Sequence, residues 1–185
     1  VLVEFVSANP TGPLNVVSAR AAAVGDALAR ALEAAGFDVA REFYVNDHGN
    51  QADLLGESVR RFLLAHEAGS ERPDELPPEG YGGEYVGDLA RAARDRVRAF
   101  TRDDGAGPDD ALLRAMRAEG PGLFERAERA AAERGSPLAV SPRALAFLLR
   151  EFALDRILAT QTADLRDFGV VYDRWFRESE LHAQD

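Results

Sequence analysis

Val1-Leu2-Val3-Glu4-Phe5-Val6-Ser7-Ala8-Asn9-Pro10-Thr11-Gly12-Pro13-Leu14 opens the chain, and its reading decides the rest. Val1 to Val6 is an apolar run broken only by Glu4, as expected of a short buried strand. One glycine and two prolines between Ser7 and Pro13 then break regular structure. Val17, Ala21, Val24, Leu28, Leu32 and Ala35 recur every three or four residues, which predicts an amphipathic helix stopped by Gly36. Residues 39–45, with Val39, Phe43, Tyr44 and Val45, read as a second strand, followed by the loop Asn46-Asp47-His48-Gly49-Asn50. Leu55, Val59 and Phe62 begin another helical stripe. Strand, helix, strand, helix within seventy residues is the start of a parallel α/β sheet. It has the form of one mononucleotide-binding half of a doubly wound fold.

That rhythm stops after the second helix. Glu71 to Gly83 is rich in Pro, Gly and acid and reads as a loop, while Glu84–Asp104 and Asp109–Arg134 read as helical, with a break at Glu119-Gly120-Pro121-Gly122. A better-defined helix is expected from Pro142 to Phe168, with Leu145, Leu148, Leu149 and Phe152 on one face. Strand character returns from Val170 to Phe176. The expected fold is α/β: a partial Rossmann-like parallel sheet, the first nucleotide-binding half, with a largely helical insertion. The expected segments are 1–70 for that half, 71–141 for the insertion and 142–185 for the helix and strand that return to it. Half a sheet leaves an open edge, so self-association through it is possible.

Composition narrows the chemistry. A hydrophobic fraction of 46% and a charged fraction of 29% suit a folded globular chain. No apolar run approaches the ~20 residues of a membrane span, and no basic, then apolar, leader is visible, so a cytoplasmic protein is expected. Cysteine is absent, which excludes disulfides, thiolate catalysis and cysteine-zinc sites. His48, His66 and His182 lack ligand spacing, and no metal site is expected. All 22 basic residues are arginine; without lysine there is neither Schiff-base chemistry nor a lysine-bearing phosphate loop. A net charge of −10 repels nucleic-acid phosphates on average. The chain starts at Val1 and its single methionine is Met116, so a piece of something longer is expected.

Glu4, Ser7 and Asn9 fall where the first strand gives way to the first helix, the edge at which open α/β sheets bind ligands. A carboxylate, a hydroxyl and an amide suit a cationic ligand with several donors. The same residues equally describe a capped strand-to-helix turn with a half-buried acid.

Glu4 to Leu14, followed by Asn15-Val16-Val17-Ser18-Ala19-Arg20, resembles the signature region of arginyl-tRNA synthetases, which are class I synthetases. The resemblance continues through Gly25-Asp26-Ala27-Leu28-Ala29-Arg30, Gly36-Phe37-Asp38-Val39 and Tyr44-Val45-Asn46-Asp47, with Gly49-Asn50-Gln51 after it. It returns in Asp164-Leu165, Phe168-Gly169-Val170, Trp175-Phe176, Glu178-Ser179 and Leu181. It implies that Glu4, Ser7 and Asn9 line an arginine pocket. It also implies that Pro10, Thr11, Gly12, Leu14, Asn15, Val17 and Ser18 approach ATP, brought with Mg2+ as a substrate. Arginine, ATP and, for a longer protein, tRNA are the implied partners, with little tRNA contact from this stretch and no membrane.

The chain departs from the family's His-x-Gly-His element: Asn15 and Ser18 stand at the histidine positions and Val17 at the glycine. Asn15 and Ser18, the positions of the catalytic signature, donate hydrogen bonds but never carry a positive charge. Two explanations stand: a working variant, or a domain that has lost ATP chemistry. The family's second signature contains lysine, which this chain lacks, so by itself it is expected to be inactive. A nucleotidylyltransferase would need a basic side chain between Asn15 and Ser18, and none is there. A module that binds arginine or a partner without ATP, and a purely structural piece, remain as rivals.

Elsewhere the expectations are plain. His48 is read as a solvated loop residue, His66 as a helix-end residue, and Trp175 with Phe176 as packing for the last strand. Arg91, Arg94, Arg96 and Arg98 read as a solvated helix face, with weak tRNA contact left open. Asp103-Asp104 and Asp109-Asp110 read as loop acids.

Overall fold

Small residues, not the large apolar ones, decide how the first helix meets the sheet. In the computed structural model, which describes residues 1–102 and 107–182, the elements run β1 (Leu2–Glu4), α1 (Val16–Ala34), β2 (Ala40–Val45), α2 (Asn50–Glu67), α3 (Glu84–Ala93), β3 (Phe100–Arg102), α4 (Asp110–Arg117), α5 (Leu123–Arg134), β4 (Leu138–Val140), α6 (Pro142–Asp167), β5 (Arg174–Arg177) and α7 (Ser179–His182). Ala22, Gly25 and Ala29 form the buried face of α1, whereas Val17, Val24 and Leu28 of the expected stripe are more than half exposed. The helix was legible from its period, but its inward face was not. A Cβ on Gly25 would lie 2.2 Å from Phe5 Cγ and 2.6 Å from Phe5 Cβ, so only glycine permits this approach.

The chain packs as two compact units, Val1–His48 with Arg156–Asp185, and Gly49–Asp155. These are packing units and need not coincide with the segments drawn from composition at 70 and 141. In the first unit β1 pairs parallel with β2, and β2 parallel with β5, in the order β1-β2-β5. The β1-α1-β2 crossover and these short parallel strands are the partial Rossmann-like α/β fold read from the sequence. The core joins Ala22, Phe43, Val45, Leu165, Val170 and Tyr172. Trp175 stacks on Phe43 at 4.4 Å, as register partners on neighbouring strands do when one face is buried. Val170 and Tyr172 are buried although they precede the ladder, so the apolar signal there reports core packing rather than strand pairing.

In the second unit Leu145, Leu148, Leu149 and Phe152 are all buried, as their spacing predicts. Two differences stand out. The helix read from Glu84 ends at Ala93, gives a 3-10 turn at Arg96–Ala99 and then β3, which pairs parallel with β4. Three-residue strands flanked by Ala-, Arg- and Glu-rich helices leave too little period-2 signal to read. Asp103 and Asp104 lie outside the described residues. Arg96 is no solvated face residue: it donates to Glu125 and Glu128 and lies 4.8 Å from the Phe124 ring and 5.1 Å from the Phe152 ring. Arg91 and Arg98, by contrast, pair with Asp88 and Asp95 at the surface. No helix among the described residues is long and apolar enough to cross a membrane.

Asp109 holds the small sheet by accepting the Ala139 N–H at 2.8 Å and Arg134 Nη1 at 2.8 Å. Burial raises its pKa, but the bonds from Arg134 and Ala139 outweigh burial and leave it below the ordinary 3.8. Its folded value is the lower one, so its contribution to stability is present above 3.8 and is lost as pH falls through the folded value. Acid titration of stability in Asp109→Asn is therefore expected to be flatter than wild type below that pH. Gly25→Ala is expected to lower stability by about 1–3 kcal/mol through overpacking against Phe5, measured by thermal and denaturant unfolding.

Candidate functional site at the carboxyl edge of the sheet

Both β1 and β2 leave the sheet through three-residue turns. After β1 the Ser7 N–H donates to Phe5 O at 3.0 Å with Val6 at φ 65°, a γ-turn with positive central φ. A β-branched residue rarely sits there, at a cost of about 1–3 kcal/mol. Ser7 follows at φ 42°. The turn sets the Ser7 hydroxyl between two strand ends: it donates to Glu4 Oε1 at 2.7 Å and accepts the Tyr44 N–H at 3.1 Å. After β2 the Asp47 N–H donates to Val45 O at 3.0 Å, and Asp47 turns inward, 5% exposed. Its carboxylate accepts the Ser179 N–H at 2.9 Å and the Ser179 hydroxyl at 2.8 Å, with Arg177 Nη1 3.4 Å away. The loop acid of the sequence is thus a buried anchor for the start of α7.

The edge is negative. Arg174 pairs with Glu42 and Arg177 with Asp47, but among the described residues no arginine pairs with Glu4 or Glu178. Glu4 has the Ser7 hydroxyl, and Glu178 Oε2 has the Asn46 amide at 2.7 Å once that amide is turned nitrogen-inward. The field registers on Tyr44, whose phenol is pushed above its usual 10.0, first by burial and then by the charges of Glu178, Asp47 and Glu4.

The segment after Ser7 runs inward and back out. Pro10 and Thr11 are buried, Gly12 and Leu14 half-buried, and Asn9 exposed. Gln161 of α6, 1% exposed, donates from Nε2 to Asn9 O at 3.2 Å and to Gly12 O at 2.8 Å. Nothing in the sequence marks this residue: between Thr160 and Thr162 it reads as a solvated helix position.

At the start of α1, Asn15 is the N-cap: its Oδ1 accepts the Val17 N–H at 2.9 Å, the Ser18 N–H at 3.1 Å and the Ser18 hydroxyl at 3.4 Å. Val17 is 57% exposed. Glu4 is therefore brought to Ser7, and Asn15 to Ser18, as two groups joined by the anchored loop. His48 is half-buried at the same edge, whereas His66 is buried on α2 with the Phe62 ring edge-on at 6.3 Å. Among the described residues no cluster of three or more His, Cys, Asp or Glu is arranged to hold a metal ion.

Residues 1–73 match the family model described as tRNA synthetases class I (R), catalytic domain. An arginine–tRNA ligase of Halorhodospira halophila is 42% identical over 193 residues, covering 97% of this chain and 29% of that protein. One from Geobacter sp. (strain M21) is 39% identical over 181 residues, covering 98% of this chain and 26% of its own length. The chain is similar to arginyl-tRNA synthetases along nearly its whole length. Its fold follows: the Thermus thermophilus arginyl-tRNA synthetase superimposes with a TM-score of 0.52 at 26% identity, over 98% of this chain and 24% of that one. A crystal structure from Campylobacter jejuni assigned to arginyl-tRNA synthetase gives a TM-score of 0.64 at 29% identity, over 98% of this chain and 31% of that one. The chain spans 26–31% of the length of the curated relatives it matches. Likeness to arginyl-tRNA synthetases runs on past residue 73 into the helices whose sequence is least specific.

Replacing Asn15 with Ala removes an acceptor for two helix N–H groups and is expected to lower stability by about 1 kcal/mol, read as a lower melting temperature. Asn15→Asp keeps the acceptor and is expected to melt like wild type.

Proposed function

We propose that this chain forms the arginine-receiving and ATP-facing part of a class I arginyl-tRNA synthetase, which activates arginine with ATP and transfers it to tRNA within a longer cytoplasmic protein. The observation that carries the reading is the uncompensated carboxylate of Glu4 at the carboxyl edge of the parallel sheet, oriented by the Ser7 hydroxyl. An ionised carboxylate accepts from guanidinium in two places, and Ser7 leaves the second Glu4 oxygen for that purpose. Asn9 completes the pocket with an amide that donates and accepts.

ATP, with Mg2+ on its phosphates, meets the backbone of Pro10, Thr11, Gly12 and Leu14 and the start of α1. There the arginine carboxylate attacks the α-phosphorus and pyrophosphate leaves, so catalysis rests on positioning and on stabilising developing charge. With Asn15 Oδ1 committed to the cap, its Nδ2 is the donor this residue offers to phosphate, and Ser18 donates by turning its hydroxyl. Val17, being exposed, leaves the inward side of the turn clear. No cation stands in residues 15–18, and the lysine of the family's second signature is absent from this chain. The chain alone is therefore expected not to aminoacylate. tRNA contacts are left mostly to the rest of the protein, as the net charge of −10 requires. In isolation β1 and β5, each with one ladder neighbour, make self-association a further expectation.

The second reading, arginine binding without ATP chemistry, is favoured by Asn15 and Ser18 bonding to each other at the cap. Calorimetry on the chain separates the two. Arginine is expected to bind, and citrulline, neutral at the same position, to bind at least tenfold more weakly. Glu4→Gln is expected to cost a similar factor, the range of a charge-assisted hydrogen bond at roughly 1.5–3 kcal/mol. A non-hydrolysable arginyl-adenylate mimic binding far more tightly than arginine supports the synthetase reading; arginine binding with no response to ATP or the mimic supports the module. Unchanged arginine affinity in Glu4→Gln removes Glu4 from the pocket.

A further inference from the structure

Asn9 O and Gly12 O have one chemical feature in common: each belongs to a peptide bond to proline, Asn9-Pro10 and Gly12-Pro13. Such a peptide has an acceptor and no donor, so neither carbonyl is met by a ladder or helix repeat running through it. One buried nitrogen, Gln161 Nε2, supplies both hydrogens, at 3.2 and 2.8 Å. Its partners lie 152 and 149 residues away in sequence, so a distant helix takes part in holding the loop. Gln161 is rooted in the core through its neighbours on α6: Leu165 is buried in the cluster around Phe43, and Leu158 packs against it.

The cost of this arrangement is visible. Gln161 Oε1 is buried without a partner. A methionine of the same length would avoid that orphan but would remove both hydrogen bonds to the proline-peptide carbonyls. The carboxamide is present for its two donors, not for its volume.

We infer that Gln161 is a positioning residue for the substrate loop: it fixes the planes of the Asn9-Pro10 and Gly12-Pro13 peptides, and through them the direction of the Asn9 side chain and of the Gly12 backbone. The functional half of this inference rests on the reading of the loop given above; the structural half does not. Rotating the Asn9 peptide redirects the Asn9 side chain proposed to meet arginine, and rotating the Gly12 peptide moves the backbone expected to face the nucleotide. One side chain therefore governs both substrates, whereas Glu4 governs only arginine.

Two measurements on the whole 185-residue chain test this. Proton exchange of the Gln161 side-chain amide in the wild-type chain is expected to be strongly slowed relative to glutamine in a short unstructured peptide. Gln161→Met, which keeps length and removes the donors, is expected to keep a cooperative melt, to shift the backbone amide resonances of Thr11, Gly12 and Leu14 but not those along α1, and to bind arginine and ATP each about tenfold more weakly. Glu4→Gln weakens arginine alone, which distinguishes loop positioning from loss of a direct contact. Free exchange of the wild-type Gln161 amide overturns the inference, and so does a folded Gln161→Met with wild-type affinities. A variant that fails to fold leaves the wild-type exchange measurement as the deciding one. A wild-type chain that binds neither ligand sinks the substrate reading, while the exchange data still decide the clamp.

Discussion

Phe5 is held through its ring, its carbonyl and its N–H. Its ring lies against the open backbone of Gly25 and tilts onto Tyr172 at 4.7 Å. Its carbonyl accepts the Tyr172 hydroxyl at 3.1 Å and the Ser7 N–H at 3.0 Å, and its N–H reaches Glu42 O at 3.4 Å. The end of β1 is thereby over-determined, and this is the condition under which the strained φ values of Val6 and Ser7 persist. The strain has a geometric consequence: it turns the Ser7 hydroxyl back to join Glu4 to the backbone of β2. The link from Glu4 through Ser7 to Tyr44 depends on that turn. Burial drives the Tyr172 phenol far above its usual pKa, so the hydroxyl that holds Phe5 stays protonated throughout the neutral range.

The charge distribution adds a second constraint. With 32 acidic residues and 22 arginines, the chain repels anions on average. The arginines near the edge are committed to Glu42 and Asp47, which leaves Glu4 and Glu178 to set the local field. Such an edge favours a cation over an anion. The start of α1 carries partial positive charge without any basic side chain, and Asn15 caps it.

The fold was legible where periodicity was long. The helices beginning at Val16, Asn50 and Pro142 and the strand ending at Val45 follow from spacing, and the parallel arrangement follows from the length of the β1-α1-β2 crossover. What failed to show were features two to four residues long. The β3–β4 pair has too few residues to establish a period. The stripe Val17, Ala21, Val24 and Leu28 marked a helix correctly but pointed to the wrong face, because hydrophobicity alone does not register that a sheet admits a helix more closely over Ala and Gly. Arg96 looked solvated because its partners, Glu125 and Glu128, come from another helix about thirty residues on.

At the site the division is sharper. The order of residues determined that a carboxylate, a hydroxyl and an amide follow the first strand, that the histidine positions hold Asn15 and Ser18, and that no lysine is present, because these are matters of covalent chemistry and spacing. Only the tertiary structure decided that Ser7 bridges Glu4 and Tyr44, that Asp47 is a buried anchor for Ser179, and that Gln161 holds two carbonyls from 152 and 149 residues away. Each of those is a hydrogen bond between groups distant in the chain. Its strength depends on a few tenths of an ångström and on exclusion of water, neither of which a local pattern of residues encodes.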